Sequence, residues 1–276
     1  MPADNFFSLP LAHHKVLLWI LAFIITISSA IYQRMTGPTY PARGQVVLSG
    51  QKISYRLLRS ETVGNDAAVS LIVPDTSISG HVRYKRYNSH DEWTVLALKK
   101  EGNKLSARLP EQPAAGKLMY FSYLEKGGES ISLTGEEPVV LRYKGGVPVA
   151  ILIPHVFLMF FAMLLSNRAA LEAVDSRGNV HSYMMWTIGL FFIGGFILGP
   201  LVQKFAFDAL WTGIPFGFDL TDNKTLIAMV GWLWAGYKNR GEHRNRGWVI
   251  FAAVLMLAVY LIPHSVWGSE LDYTKM

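Results

Sequence analysis

Five apolar blocks, with a polar insert over 35–146 after the first, restrict this chain to a narrow set of architectures. The blocks run 16–32, 147–166, 183–202, 225–237 and 248–264. A bilayer core takes about 20 helical apolar residues, with a usable range of about 17–25. All blocks but the fourth reach that range. Charged residues make up 17% of the chain, against about 25% in ordinary soluble domains. The apolar excess sits in the blocks and not in the insert, so the chain reads as a membrane protein carrying one soluble domain. The expected partition is a signal-anchor helix over 1–34, an extracytoplasmic β domain over 35–146, and a four-helix transmembrane domain over 147–276. Ser28-Ser29-Ala30 is a competing cleavage site for a signal peptide. The run continues past it through Ile31 and Tyr32, which favours an uncleaved anchor.

The insert alternates short β-type runs with turn signals. Candidate strands are 45–48, 52–59, 67–73, 81–86, 94–99, 104–109, 117–124, and 130–134 with 139–143. Period-two alternation is clear in Ile53-Ser54-Tyr55-Arg56-Leu57 and in Leu118-Met119-Tyr120-Phe121-Ser122-Tyr123. Gly64-Asn65-Asp66, Pro74-Asp75, Gly102-Asn103 and Gly127-Gly128 punctuate them. Strands at that spacing predict an antiparallel sandwich. The segment from Leu109-Pro110 to Gly128, with its strand over 117–124, resembles the late hairpin of fibronectin III or immunoglobulin-like domains. The resemblance is confined to the insert and implies an Ig-like sandwich there. The full expectation is an all-α membrane bundle of five transmembrane helices with an inserted all-β Ig-like sandwich.

Short-loop charges set the orientation. The loop 167–182 carries Arg168 and Arg177, and 238–246 carries Lys238, Arg240, Arg244 and Arg246. Both are expected in the cytoplasm, which puts the insert, the loop 203–224 and the C-terminus outside an inner membrane. The net charge of +6 is then absorbed by loops facing anionic lipid, and nucleic acid is not an expected partner. With no cysteines, disulfides, thiolate metal sites and thiol catalysis are excluded.

One tetrapeptide occurs twice, as Leu152-Ile153-Pro154-His155 and as Leu261-Ile262-Pro263-His264. The orientation puts both at the outer surface. A histidine in or near a bilayer is costly and usually has a partner or a task. Asp219 and Asp222 fall at the same surface, and imidazole with carboxylate suits zinc, manganese or iron. His155, His264, Asp219 and Asp222 are therefore the candidate ligands of a divalent metal. Asp208, Lys224, Glu270 and Asp272 are the supporting polar cluster. Asp222 is also a candidate helix N-cap, and Lys224 is expected to pair with Asp219 or Glu270. No His-Glu-x-x-His or Glu-x-x-His spacing is present. Two other readings stay open: a neutral histidine bonded to a carbonyl freed by the preceding proline, and a haem or quinone role. Haem is disfavoured, because His155 lies about 12 Å inside its helix while His264 sits near the end of its own. His13, His14, His81, His90, His181 and His243 read as surface residues.

The fourth block spans about 20 Å, too short for a core of about 30 Å. Snorkelling of Tyr237 and Lys238, together with burial of 219–224, is the expected remedy. The preceding run 208–219 is rich in Gly, Pro and aromatics and reads as re-entrant or interfacial. Two functions follow. The first is a membrane accessory or scaffold protein that presents its sandwich to a protein partner. The second is a membrane enzyme or cofactor protein using the outer His/Asp layer.

Overall fold

The computed structural model describes residues 11–174, 178–241, 244–264, 268 and 270–275. Arg177 and His243 lie outside the described residues. Contacts divide the chain into two units. A helical unit takes Met1–Thr36, Val147–Lys204 and Ala209–Trp267; a β unit takes Gly37–Gly146, Phe205–Asp208 and Gly268–Met276.

In the helical unit, α1 is Leu11–Thr36 and α2 is Val149–Val174. The third apolar block forms α3 (Val180–Phe192), a π-helical segment (Ile193–Leu198) and α4 (Gly199–Phe207). α5 is Leu220–Lys238 and α6 is Arg246–Leu261. Among the described residues, three stretches are long and apolar enough to cross a membrane: Lys15–Thr36, Val149–Val174 and Val180–Phe207, with mean hydropathies of 2.0, 2.4 and 1.9. α6 is a shorter apolar helix. Trp232, Met163, Met184, Ala252 and Met256 form the centre of the bundle core.

One expectation needs correction here. The expected loop over 167–182 is helix up to Val174, so Arg168 is a buried helical residue and not a loop charge. It pairs with Glu172 one turn on and lies between the rings of Trp19 and Tyr183, at 5.5 and 4.8 Å. These contacts accommodate a guanidinium where charge counting had placed a helix end. The short fourth apolar block is extended by buried polar residues, the remedy expected for it. α5 begins at Leu220, five residues before the apolar run, and buries Asp222 and Lys224. Its 19 residues span about 28 Å. At the other end Lys238 lies 4.7 Å from the ring of Trp234, so that charge rests on aromatic surface.

Among the described residues the β unit has eleven strands: β1 (Ala42–Leu48), β2 (Gln51–Leu57), β3 (Ser60–Thr62), β4 (Ala67–Ile72), β5 (Ser79–Arg86), β6 (Thr94–Ala97), β7 (Lys99–Glu101), β8 (Lys104–Leu109), β9 (Lys117–Lys126), β10 (Glu129–Ser132) and β11 (Val139–Lys144). They form a β1-β2 hairpin, a sheet of order β3-β11-β9-β5-β6 with β10 also on β9, and a sheet of order β4-β8-β7. Pairing is antiparallel except between β11 and β3, which run parallel. The purely antiparallel expectation fails there because the short β3 continues directly from β2 and pairs with the last strand. Arg142 N donates to Arg59 O at 3.1 Å, and Val63 N to Lys144 O at 3.0 Å. The sheets share one apolar core, with Leu48, Ile53, Val82, Leu105, Leu118 and Leu141 among its fully buried residues. Two buried tyrosines satisfy their hydroxyls on backbone carbonyls. Tyr120 donates to Leu58 O at 2.8 Å and Tyr143 to Pro110 O at 3.1 Å, as buried phenols require.

Candidate functional site

The two copies of the tetrapeptide adopt different structures. Pro154 lies in the second turn of α2, past the four amides a helix start leaves free, so its missing N–H opens one bond of the helical ladder. Pro263 follows Ile262, which is extended and closes α6, as the residue before a proline prefers. The end of α6 therefore leaves carbonyls open, and side chains from elsewhere in the bundle take them. Gln33 Nε2 donates to Tyr260 O at 2.9 Å, and Lys224 Nζ donates to Ile262 O at 2.6 Å.

His155 projects from α2 to the π-helical segment. Its Nδ1 lies 2.9 Å from Gly194 O. A π-segment shifts the helical ladder and frees carbonyls, and the hydrogen on the His155 Nδ1 supplies the donor. The close approach depends on glycine. A Cβ on Gly194 would sit 3.1 Å from Met159 Sδ and 3.2 Å from Leu158 Cβ, and one on Gly195 would sit 3.0 Å from Thr225 Cγ2.

The carboxylates have architectural partners. Asp219, not Asp222, is the N-cap of α5: its Oδ1 accepts from Thr221 N at 2.8 Å and from Asp222 N at 3.4 Å. Expecting the cap at Asp222 put the helix start three residues late. Asp222 instead reaches back to the preceding segment. Its Oδ2 accepts from Thr212 N at 2.6 Å, Gly213 N at 3.0 Å and Thr212 Oγ1 at 3.3 Å. Asn223 Oδ1 accepts from Ile214 N at 2.7 Å, and Gln203 Nε2 donates to Thr212 Oγ1 at 2.6 Å. The run over 211–218 is thereby folded onto the start of α5, with Phe216 and Phe218 at its exposed rim.

Lys224 and His264 line a small cavity of about 30 Å³ with Thr225, Tyr260, Met159 and Met256. That is room for about two waters. His155, Lys224 and Asp219 are the titratable neighbours of His264. The structure thus brings His155, His264, Asp219 and Lys224 into one electrostatic neighbourhood. Among the described residues, no three His, Asp or Glu side chains group closely enough to hold a metal ion.

The remaining supporting residues belong to the β unit. Glu270 bonds with Lys117 and accepts from Asn88 Nδ2 at 2.8 Å, which corrects its expected pairing with Lys224. Asp272 accepts from Thr274 Oγ1 at 2.5 Å, pairs with Lys275 at 3.0 Å and accepts from Thr274 N at 3.1 Å; these contacts hold its carboxyl below the usual range. Asp208 has a left-handed backbone, with φ of 63°. Leu271 N donates to Ala115 O at 3.2 Å and Tyr273 OH to Gln112 Oε1 at 2.9 Å, so Leu271 and Tyr273 are integrated into this unit.

One face of the large sheet presents a feature absent from the expectations. Pairing of β5 with β9 sets His81 opposite Tyr123, Arg83 opposite Phe121 and Lys85 opposite Met119. Alternation sends Val82, Tyr120 and Ser122 to the opposite, core side. His81 stacks on Tyr123 with centroids 4.9 Å apart, while Trp93 lies 5.5 Å from Phe121. Arg83 and Lys85 both lie over Trp93, at 5.5 and 5.4 Å. At the edge of β5, Arg86 holds the Asp91 carboxyl at about 2, chiefly through a hydrogen bond. His81 Nδ1 lies 2.9 Å from Glu125 Oε1. Period-two spacing of His81, Arg83 and Lys85 was the available signal; Trp93 lies outside the strand and gave none. Protein-family models, curated proteins and solved structures yield no match to this chain.

Proposed function

We propose that this chain is a non-catalytic accessory protein of the cytoplasmic membrane. A five-span bundle anchors it, and an Ig-like β unit outside the membrane binds a protein partner. The observation that carries this reading is the ladder of His81, Tyr123, Phe121, Trp93, Arg83 and Lys85 on one sheet face. Aromatic rings and arginine are the residues that dominate protein interfaces. A face with two lysine or arginine charges over rings suits a partner surface bearing carboxylates among apolar groups. By contrast, His155, Asp219, Asp222 and Lys224 each hold a bond that builds the helical unit.

The composition of the β unit supports the five-span topology. It gathers three stretches of chain, 37–146, 205–208 and 268–276. All three must lie on one side of the membrane. The helices between them must then cross in even numbers, which suits α2 with α3–α4 and α5 with α6. The basic stretch 238–246 falls inside on this count, in agreement with loop charge.

The test is site-specific photo-crosslinking in native membranes. A photoreactive residue at Val95, beside Arg83 on this face, should give one discrete protein adduct. Arg83→Glu should abolish that adduct, while a probe at Ile72 on the other sheet should not form it. Equal adducts from both positions would overturn the reading. The small cavity beside Lys224 and His264 sustains the second reading, a cofactor protein. A bound metal or an absorption band in the detergent-purified protein would favour that reading instead.

A further inference from the structure

The large sheet of the β unit ends on β6, and among the described residues no strand pairs with its outer edge. The register fixes which backbone groups face outward. Leu98 N donates to Gly80 O at 2.9 Å, so the hydrogen-bonded pairs within β5 and β6 are Val82 with Leu96 and Tyr84 with Thr94. In an antiparallel ladder, the residues between such pairs turn their N–H and C=O away from the partner strand. Val95 and Ala97 therefore hold their backbone donors and acceptors on the open edge. Both residues are exposed, Val95 at 61%.

Native sheets protect such edges with charge, with shortness or with a covering segment. Other edges in this unit follow that rule. β7 is Lys99-Lys100-Glu101, β3 has three residues, β4 lies against β2 and β1 lies against β10. β6 is Thr94-Val95-Leu96-Ala97, with neither a charge nor a proline. The chemistry beside it differs between its two faces. On the outer face Arg83 sits opposite Val95 and His81 opposite Ala97. Arg83 and Lys85 lie over Trp93, the residue before β6. Glu125 is taken by His81 and Asp91 by Arg86, whereas Arg83 has no carboxylate partner among the described residues. Glu92 is the exposed acid next to this edge. On the inner face Leu96 packs, partly buried, against the core.

We propose that a partner protein adds a β-strand to the open edge of β6, using a segment that alternates acidic and apolar residues; this rests on the reading of the adjoining face as a partner surface. Main-chain bonds to Val95 and Ala97 supply affinity, and alternate side chains supply specificity. Acidic side chains on one face of the added strand lie beside Val95 and Ala97, in the field of Arg83 and Lys85. Apolar side chains on its other face extend the core past Leu96. A second copy of this chain suits the edge less well. Its own β6 offers no carboxylate, and it brings a second Arg83 and Lys85 to the junction.

The probe is a fluorescein-labelled peptide of alternating glutamate and valine, titrated with the detergent-purified full chain and read by fluorescence anisotropy. Val95→Pro removes the outward N–H and leaves the ladder to β5 intact, as a proline on an edge strand does. Its melting curve should match that of the native chain, and its peptide binding should weaken by at least about five-fold. Methylated peptides read the same bonds on the native chain. Methylating one alternate set of peptide nitrogens should abolish binding, and methylating the other set should not. A lysine–valine peptide should bind at least about ten-fold more weakly. No binding of the glutamate–valine peptide overturns the proposal. So does dimer formation by the chain alone that Val95→Pro abolishes, which would make a second copy the occupant. If Arg83→Glu weakens binding while Val95→Pro and both methylated peptides leave it unchanged, the peptide lies on the face without joining the sheet. Strand addition then fails and the face reading stands. The face reading is judged separately, by the photo-adduct from Val95 and its loss in Arg83→Glu.

Discussion

The Arg168–Glu172 pair places two buried charges in the helical unit at a desolvation cost. Arg168 is 0% exposed, and its Nε and Nη2 have no hydrogen-bond partner among the described residues. Two aromatic faces and one carboxylate are what hold the charge. Removing one member of such a pair strands the other, at about 3–5 kcal/mol, whereas replacing both with apolar groups is often neutral or stabilising. Glu172→Gln keeps an acceptor for Asn179 N and removes only the charge. It should therefore lower the thermal midpoint of the detergent-purified protein sharply, while Arg168→Met with Glu172→Met should restore it to near the native value. A double variant as unstable as the single one would show that the pair itself stabilises the bundle. Residue identity alone did not expose this pair. Arg168 follows a polar Ser166-Asn167, which reads as a helix end, and its rings come from Trp19 and Tyr183, remote in sequence.

At the scale of elements, the strands were the most legible part. Alternation fixed the faces of β2 and β9 because one side of each is core and a one-residue slip would expose it. β3 and β7 were not legible, being three residues each and without alternation. Helix boundaries failed where a charge is internal to a helix. Arg168 inside α2 rests on the rings of Trp19 and Tyr183 beside its i+4 partner Glu172, and Asp222 and Lys224 inside α5 bond to backbone of 212–213 and of Ile262; the rings and backbone partners are tertiary and no local pattern reveals them. The candidate site followed the same rule. Its membership in the helical unit was visible from topology, but the bonds of Asp219, Asp222 and Lys224 depended on the fold of 211–218 and the end of α6. The π-helical segment was likewise hidden; only its glycines were visible. Those glycines give a paired test. Gly195→Val should clash with Thr225 and cost about 1–3 kcal/mol, as overpacking does. Gly189→Val meets nothing within 4 Å and should be tolerated. Comparable melting losses in both variants would mean that helix propensity, and not packing against α5, dictates glycine here.

For the whole molecule, the assembly of the β unit from three stretches of chain is the strongest constraint on topology. Since 37–146, 205–208 and 268–276 share that unit, α5 and α6 either both cross the membrane or both fail to. Their hydropathy does not decide between these, because α5 begins with Thr221, Asp222, Asn223 and Lys224 and α6 has only 16 residues. Their packing favours crossing. Trp232 and Ala235 of α5 and Ala252 and Met256 of α6 are buried in the same core as Met163 of α2, and Trp232 Nε1 donates to Met256 Sδ at 3.1 Å. The absence of cysteine makes the decision accessible, because a single introduced thiol is the only one to label. Lys100→Cys, exposed in the β unit, should react with a membrane-impermeant maleimide in intact cells. Arg240→Cys, between α5 and α6, should react only after permeabilisation. Three crossings separate these positions if α5 spans, and two if it does not. Labelling of both from the same side would therefore rule out the α5–α6 crossing, and the reverse pattern would invert the orientation while leaving the number of spans intact.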